Sequence, residues 1–159
     1  MGGISMFNFR SYEDWDVSYV DILVKNKAQF GVTVDYILSN SQVYTAFGPD
    51  ISRSYAADLI TCLRNIKVLV YNGQNDVVVN TAGVMQYLNS LNWEGLNRWK
   101  WTRKEIWTRY GEVKGWAKVA GNLWFVLTNG AGHLVPIDQP EAAFSMIGHF
   151  VHNDHDWKQ

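Results

Sequence analysis

The sequence contains a single cysteine, Cys62, among its 159 residues. One thiol cannot form a disulfide within the chain, so Cys62 can be bridged only to a cysteine outside it. Cys62 lies within an apolar helical pattern, which favours a small buried side chain over a reactive thiol. We therefore expect a fold without internal disulfides.

Long apolar runs and an excess of one charge are also absent. No stretch is long enough to span a bilayer, and the N-terminus lacks the basic region and apolar run of a secretory signal peptide. The net charge is −1, so nothing strongly attracts nucleic acid or an acidic membrane. No Asn-x-Ser/Thr glycosylation site occurs either. We expect neither a nucleic acid nor a membrane as a partner.

Apolar and aromatic residues are plentiful instead. They include eight Trp and eight Tyr, and 47% of all residues are hydrophobic. At this length one domain can bury a substantial core. The aromatic residues predict a core and a cleft lined with rings, or an exposed aromatic face that binds a ligand or a partner segment.

The clearest strand signal runs from Ile66 to Tyr71. This short apolar run is rich in β-branched residues, which is typical of a strand buried on both faces of a parallel sheet. Asn72-Gly73 then signals a turn, and Asp76 follows. Loops after the carboxyl ends of such strands carry the chemistry of α/β folds. Asp76 is therefore a candidate catalytic carboxylate; the alternative is a turn residue bonded to local backbone.

A second stretch repeats this pattern and ends in a histidine. Leu123 to Thr128 predicts an apolar strand, and a Gly-rich turn then leads to His133. An Asp after one strand, followed downstream by a loop His, is the second half of the Ser, Asp, His order of α/β-hydrolases. In such a triad the His transfers the serine hydroxyl proton, and the Asp fixes the His tautomer. We expect Asp76 and His133 at neighbouring strand ends, within hydrogen-bonding reach.

Two segments carry a resemblance to a known family. Residues 68–79, Val-Leu-Val-Tyr-Asn-Gly-Gln-Asn-Asp-Val-Val-Val, and 129–140, Asn-Gly-Ala-Gly-His-Leu-Val-Pro-Ile-Asp-Gln-Pro, resemble the Asp and His motifs of serine carboxypeptidases. The similarity is greatest to the animal vitellogenic-like and retinoid-inducible branch. Gly2-Gly3-Ile4 resembles a segment well inside those longer chains. The resemblance implies one partial α/β-hydrolase domain over 1–159: the C-terminal portion of the sheet, with flanking helices and a β-hairpin leading to the His loop.

The resemblance also implies a function: removal of C-terminal residues from peptides by acyl transfer, in lysosomes or outside the cell, without cofactor or metal. Asp76 and His133 are then catalytic, and Leu134 contacts the substrate. The family's serine lies in Gly-Glu-Ser-Tyr-Ala-Gly, and neither that sequence nor any Gly-x-Ser-x-Gly occurs here. We therefore expect a peptide substrate, a nucleophile-bearing N-terminal half or chain as partner, and no activity from this chain alone. The alternative is a non-catalytic interaction domain.

Periodic apolar residues predict three helices before the hairpin. They lie at Asp16–Phe30, at Asp50–Leu63 after a break at Gly48-Pro49, and from an N-cap at Asn80 or Thr81 to Leu91.

The hairpin strands are predicted at Val113–Ala120 and Leu123–Thr128, around a Gly121-Asn122 turn. The last helix is predicted to begin with a capping box and a first-turn proline at Asp138–Glu141. Its predicted buried face comprises Ala143, Met146, Ile147, Phe150 and Val151.

Two further segments leave alternatives open. Trp93 to Tyr110 interleaves Trp with Lys and Arg, a pattern compatible with single-stranded nucleic acid. The balanced overall charge favours a surface excursion whose Trp side chains pack inward. His149, His152 and His155 follow at three-residue steps, a spacing that can bind zinc on a helix. A frayed, polar C-terminal tail is the favoured interpretation.

Overall fold

The computed structural model describes residues 40–51 and 53–158. The chain divides into two compact units, and the described residues up to Tyr55 belong to the first and those from Ala56 onwards to the second. The helix predicted at Asp16–Phe30 lies outside the described residues.

The described part of the first unit is a helix, α1 (Ser41–Ile51). Asn40 begins it, because its Oδ1 accepts hydrogen bonds from the backbone N–H groups two and three residues on, at 3.0 and 3.1 Å. The predicted break at Gly48-Pro49 is wrong. Pro49 lies inside the last turn, where it removes one backbone hydrogen bond, and the helix ends two residues later. The predicted helix Asp50–Leu63 is accordingly wrong at its start.

The second unit is built on a four-stranded sheet. Its elements are α2 (Ala56–Asn65), β1 (Val68–Gly73), α3 (Thr81–Ser90), α4 (Leu96–Trp101), β2 (Glu105–Arg109), β3 (Glu112–Ala120), β4 (Leu123–Thr128), α5 (Val135–Asp138) and α6 (Pro140–His152). The strand order is β1-β4-β3-β2. β1 is parallel to β4, and the other two pairs are antiparallel. The predicted α/β class is confirmed.

β1 and β4 position the two loops of interest. They pair in parallel from Val68 opposite Leu123 to Gly73 opposite Thr128, so both strands end at the same edge of the sheet. β4 lies between β1 and β3, and all its residues are buried. β1 has a strand neighbour on one side only within the described sheet, and Tyr71 is 43% exposed. Val68 to Val70 are only half-buried, so the predicted burial of this strand on both faces is wrong.

The hairpin predicted before the His loop is confirmed. β3 and β4 pair around Gly121-Asn122, where Gly121 has a φ of 57°, a left-handed conformation that favours glycine. The predicted surface excursion at Trp93–Tyr110 instead contributes α4 and the edge strand β2. As predicted, Trp99 and Trp107 pack inward and are fully buried, whereas Trp101 is 87% exposed.

Alternate residues of β4 belong to two hydrophobic clusters, as the two-residue period of a strand requires. Leu123, Phe125 and Leu127 pack with side chains of α2, α3 and α4. Trp124 and Val126 pack with α6 and with two tryptophans from other parts of the chain. The sheet that holds the two loops is thus covered on both faces.

The helices that cover the first cluster are short and one-sided. α2 buries Leu63 and turns Cys62 to solvent, so the predicted burial of this thiol is wrong. α3 begins at Asn80, as predicted, and Asn80 Oδ1 accepts a hydrogen bond from the N–H of Gly83 at 2.9 Å. In the part of the chain that the structure describes, no helix is long and apolar enough to cross a bilayer.

The last helix, α6, begins at Pro140 but without the predicted capping box. Gln139 precedes it and makes no side-chain cap. Asp138 lies instead at the end of the separate short helix α5, and its Oδ2 accepts a hydrogen bond from the N–H of Gly132 at 2.6 Å. The carboxylate that the sequence assigns to the helix start therefore holds the His loop.

The buried face of α6 is also rotated from the predicted one. Ile147 and Val151 are 46% and 64% exposed. Ala143 and Met146 are buried as predicted, and they share this face with Ala142, Ser145 and His149. Two polar side chains, Ser145 and His149, are thus buried on a face that the pattern predicts to be entirely apolar.

The C-terminal segment after α6 is ordered against the sheet, so the predicted frayed tail is wrong. Asn153, in a left-handed conformation, ends the helix. Trp157 is 2% exposed, and its carbonyl accepts a hydrogen bond from the N–H of Thr108 at 2.8 Å. The ring of His149 stacks on Trp157 at 4.4 Å between centroids. Across the described ranges, no group of His, Cys, Asp and Glu is arranged to hold a metal ion.

Candidate functional site

Asp76 and His133 lie in contact at the end of the sheet. His133 Nδ1 is 2.8 Å from Asp76 Oδ2. The Asp76 side chain is 3% exposed and that of His133 37%, so a buried carboxylate meets an imidazole that reaches solvent. Parallel pairing of β1 with β4 brings these two loops together. The predicted proximity of the two side chains is confirmed.

The loop after β1 holds both oxygens of the Asp76 carboxylate. Asn72 Nδ2 donates to Asp76 Oδ2 at 3.3 Å and to the carbonyl of Val79 at 2.9 Å. The N–H of Val79 donates to Asp76 Oδ1 at 2.9 Å. The sequence marks Asn72 only as a turn residue. Its buried place at a strand end, 5% exposed, is the signal that distinguishes it from an ordinary turn asparagine.

The loop after β1 packs directly on the loop after β4. The N–H of Gln74 donates to the carbonyl of Thr128 at 2.9 Å, and the N–H of Asn75 to that of Ala131 at 2.8 Å. A Cβ on Gly73 would lie 2.1 Å from the carbonyl oxygen of Gly132. Gly73 is therefore required for the close approach that brings Asp76 to the His loop.

The His loop is fixed from its other end by α5 and α6. Asp138 binds the N–H of Gly132, one residue before His133, at 2.6 Å. Ala131, Val135 and Ala143 form a small buried cluster beneath the loop. The last helix therefore anchors the His loop together with α5.

Exposed apolar side chains follow both site residues in sequence. Val77, Val78 and Val79 come after Asp76 and are 56%, 45% and 46% exposed. Leu134, the predicted substrate contact, directly follows His133 and is 38% exposed; its role stays a prediction. We call these exposed side chains, Val77, Val78, Val79 and Leu134, the apolar rim. The sequence does not predict their exposure, because the valine run is typical of a segment that leads into a helix.

An aspartate hydrogen-bonded to Nδ1 of a histidine that reaches solvent supports proton transfer at the other ring nitrogen, Nε2. It holds the imidazole in the tautomer with a proton on Nδ1 and stabilises the imidazolium that forms when Nε2 takes a proton. The pair is therefore suited to proton transfer to and from a nucleophile.

The family model described as serine carboxypeptidase matches residues 19–153. The venom serine carboxypeptidase of Apis mellifera is 33% identical over 118 residues, which cover 74% of this chain and 25% of that protein. The probable serine carboxypeptidase CPVL of Homo sapiens is 36% identical over 106 residues, covering 65% of this chain and 22% of the relative.

The fold is also similar to a solved structure. A prohormone-processing carboxypeptidase from Saccharomyces cerevisiae superposes with a TM-score of 0.70 and 22% identity, over 95% of this chain and 36% of that one. The likeness supports the predicted fold, which is a portion of an α/β-hydrolase sheet. The chain spans about a quarter of the length of the Apis mellifera relative. Because the family model matches most of this chain, the chain belongs to the serine carboxypeptidase family.

Proposed function

We propose that this chain supplies the Asp and His of a Ser-Asp-His triad that removes C-terminal residues from peptides. The observation that supports this most directly is the 2.8 Å contact between His133 Nδ1 and Asp76 Oδ2, with the carboxylate buried and the imidazole reaching solvent. Membership of the serine carboxypeptidase family gives the reaction class.

His133 is the general base and then the general acid of this reaction. Its Nε2 takes the proton of a serine hydroxyl as the serine oxygen attacks the carbonyl carbon of the last peptide bond. It then gives that proton to the nitrogen of the departing C-terminal residue, which leaves an acyl-enzyme for water to hydrolyse. Asp76 keeps the proton on Nδ1 and stabilises the imidazolium. Leu134 and the exposed side chains of Val77, Val78 and Val79 contact apolar parts of the peptide.

The nucleophile comes from a partner segment or chain. The sequence 1–159 contains neither Gly-Glu-Ser-Tyr-Ala-Gly nor any Gly-x-Ser-x-Gly, and without a nucleophile no acyl-enzyme forms. In the described sheet β1 is a terminal strand, so its outer backbone edge is a place where a nucleophile-bearing half can extend the sheet. The chain by itself is then inactive. By family resemblance the assembled enzyme works in lysosomes or outside the cell.

A non-catalytic interaction domain is the second candidate. The absence of the family's serine motif from the sequence and the terminal position of β1 support this candidate as well as they support the triad. In that case the Asp76–His133 contact persists without a reaction, and the apolar rim binds a protein partner.

Reconstitution separates the two candidates. The chain is co-expressed with the N-terminal half of a family member that carries Gly-Glu-Ser-Tyr-Ala-Gly, and release of the C-terminal residue from a blocked dipeptide is measured. We expect activity only from the pair, with a loss of about 10⁴-fold in kcat for Asp76→Asn. His133→Ala should reduce it at least as far. His152→Ala and Asp58→Asn, which change exposed residues of the same types, serve as controls.

Failure of the two halves to associate calls for the natural N-terminal partner, isolated by co-purification. A complex that forms but releases no C-terminal residue, even with an intact serine elbow, contradicts the triad proposal and favours the interaction domain.

A further inference from the structure

Two lysines lie on tryptophan rings beside β3, outside the Asp76–His133 pair. Lys118 Nζ is 4.4 Å from the ring centroid of Trp99, and Lys104 Nζ is 4.0 Å from that of Trp116. Trp116 and Lys118 are two residues apart on β3 and therefore project from the same face of the sheet. This is the face of the first hydrophobic cluster, against which Trp116 packs.

The two rings are held in place by contacts of their own. Trp99 is fully buried, and its Nε1–H donates to Asn89 Oδ1 at 2.9 Å. Trp116 packs on Phe125, with 5.2 Å between ring centroids. The ammonium groups therefore meet a preformed aromatic surface, whose negative ring faces favour one position for each charge.

Lys118 is a costly residue at this position. It is 7% exposed, and burial, followed by the charge of Lys104, lowers the pKa of its ammonium group. Among the described residues, neither Lys104 nor Lys118 takes part in a salt bridge. Two positive charges thus act on each other with no carboxylate in contact, and each is less stable than a paired charge would be.

We propose that Lys104 and Lys118 form a binding site for a phosphate group. A phosphate carries close to two negative charges at neutral pH, which matches the two ammonium groups, whereas a carboxylate provides only one. Lysine binds phosphate as a point charge and needs no bidentate geometry. The rings of Trp99 and Trp116 hold both charges in place before the anion arrives, which reduces the entropy lost on binding. Inorganic phosphate and a phosphomonoester share this chemistry.

Tryptophan fluorescence of the 159-residue chain, at submicromolar concentration and constant ionic strength, tests the site. We expect a saturable change with inorganic phosphate, because the bound anion shifts the ammonium groups on Trp99 and Trp116, and no saturation with acetate. Lys104→Met and Lys118→Met should each weaken phosphate binding by at least about tenfold. Lys100→Met removes an exposed charge from α4 and should leave the affinity unchanged.

Lys104→Met decides the outcome if Lys118→Met does not fold, since Lys104 is the exposed member of the pair. A second readout is protection of Lys118 by phosphate from reductive methylation, measured by peptide mass spectrometry with Lys100 as the internal reference. Phenyl phosphate distinguishes the sources, because tighter binding than the free ion indicates a phosphomonoester. The proposal is overturned if phosphate and acetate act alike, or if Lys100→Met loses as much affinity as Lys104→Met.

Discussion

Asn72 binds Asp76 and closes the loop that carries it. Its Nδ2 is 3.3 Å from Asp76 Oδ2 and 2.9 Å from the carbonyl oxygen of Val79, whose own N–H donates to Asp76 Oδ1 at 2.9 Å. The carboxylate therefore has a fixed orientation when it meets His133 Nδ1. Partners that orient a group in this way commonly matter almost as much as the group itself. Asn72 is thus a positioning residue for the proposed triad.

Asn72→Ala should loosen the Asp76–His133 contact without unfolding the sheet. The substitution leaves the carbonyl of Val79 and one oxygen of Asp76 short of a donor, at a cost of about 1–3 kcal/mol. In the reconstituted enzyme we expect kcat to fall roughly tenfold to a hundredfold, with KM little changed. In the chain alone, the fraction of His133 with its proton on Nδ1, read from ¹⁵N chemical shifts, should fall.

Asn80→Ala is the matched control for this prediction. Asn80 caps α3 through Gly83, so its loss should cost about 1 kcal/mol of stability and leave the His133 tautomer unchanged. If both variants shift the tautomer equally, Asn72 acts only through general stability. If Asn72→Ala shifts the tautomer but the reconstituted enzyme is inactive even as wild type, the positioning role survives and the triad proposal does not.

Gly73→Ala should separate the two loops of the site. Its Cβ would lie 2.1 and 2.4 Å from the backbone oxygens of Gly132 and Ala131, and backbone on both sides leaves no flexible side chain to move aside. We expect a loss of stability of roughly 2–4 kcal/mol and loss of the downfield Nδ1–H resonance of His133. Gly83→Ala, whose Cβ meets only Asn80 Oδ1 at 3.5 Å, should be stabilising by about 0.4–1 kcal/mol. A Gly73→Ala variant that keeps the resonance contradicts the close approach.

The site was predictable because each half is marked locally in the sequence. The β-branched run before Asn72 and the Gly-rich turn before His133 each indicate a strand followed by a loop. Their contact could be predicted because the carboxyl ends of parallel strands meet at one edge of a sheet. The clamp of Asn72 on Asp76 could not, since a buried strand-end asparagine and a turn asparagine have the same sequence signature.

Several of the remaining errors involve contacts that the local sequence pattern does not reveal. The run from Ile66 to Tyr71 predicts a strand buried on both faces, but Val68 to Val70 are only half-buried. Asp138 reads as a helix cap, but the N–H of Gly132 binds its carboxylate instead. β2 and the C-terminal tail lack strong local signals. They are held together instead by contact between the buried side chains of Trp107 and Trp157, whose ring centroids are 5.9 Å apart.

Lys118→Met should stabilise the chain at neutral pH. Burial, and then the charge of Lys104, lowers the folded-state pKa of Lys118 below its ordinary value. The protonated amine therefore opposes folding at every pH below that lowered pKa, and this penalty disappears as the pH rises through the unfolded pKa. In phosphate-free buffer the variant should have the higher free energy of unfolding at pH 7, and the difference should shrink towards about pH 11.

Lys100→Met, which changes an exposed lysine, should show no such pH dependence. Urea unfolding followed by circular dichroism at several pH values gives both curves. A Lys118→Met variant that is less stable than the wild type at neutral pH would mean that packing and the Trp99 contact outweigh the cost of the buried charge.

The isolated chain should associate through the outer edge of β1. In the described sheet this strand pairs only with β4, and Tyr71 is 43% exposed on it. An unpaired strand edge flanked by apolar side chains is a template for pairing with another chain. Sedimentation velocity at micromolar concentration should therefore show oligomers that a nucleophile-bearing partner half converts into a single heterodimer.

Tyr71→Lys places a charge on this strand and should reduce the association, whereas Tyr110→Lys, at a position 80% exposed in another turn, should not. A wild-type chain that melts cooperatively as a monomer and binds no hydrophobic dye contradicts this prediction. Such a chain needs no partner to complete its sheet, and that result favours the interaction domain over the split enzyme.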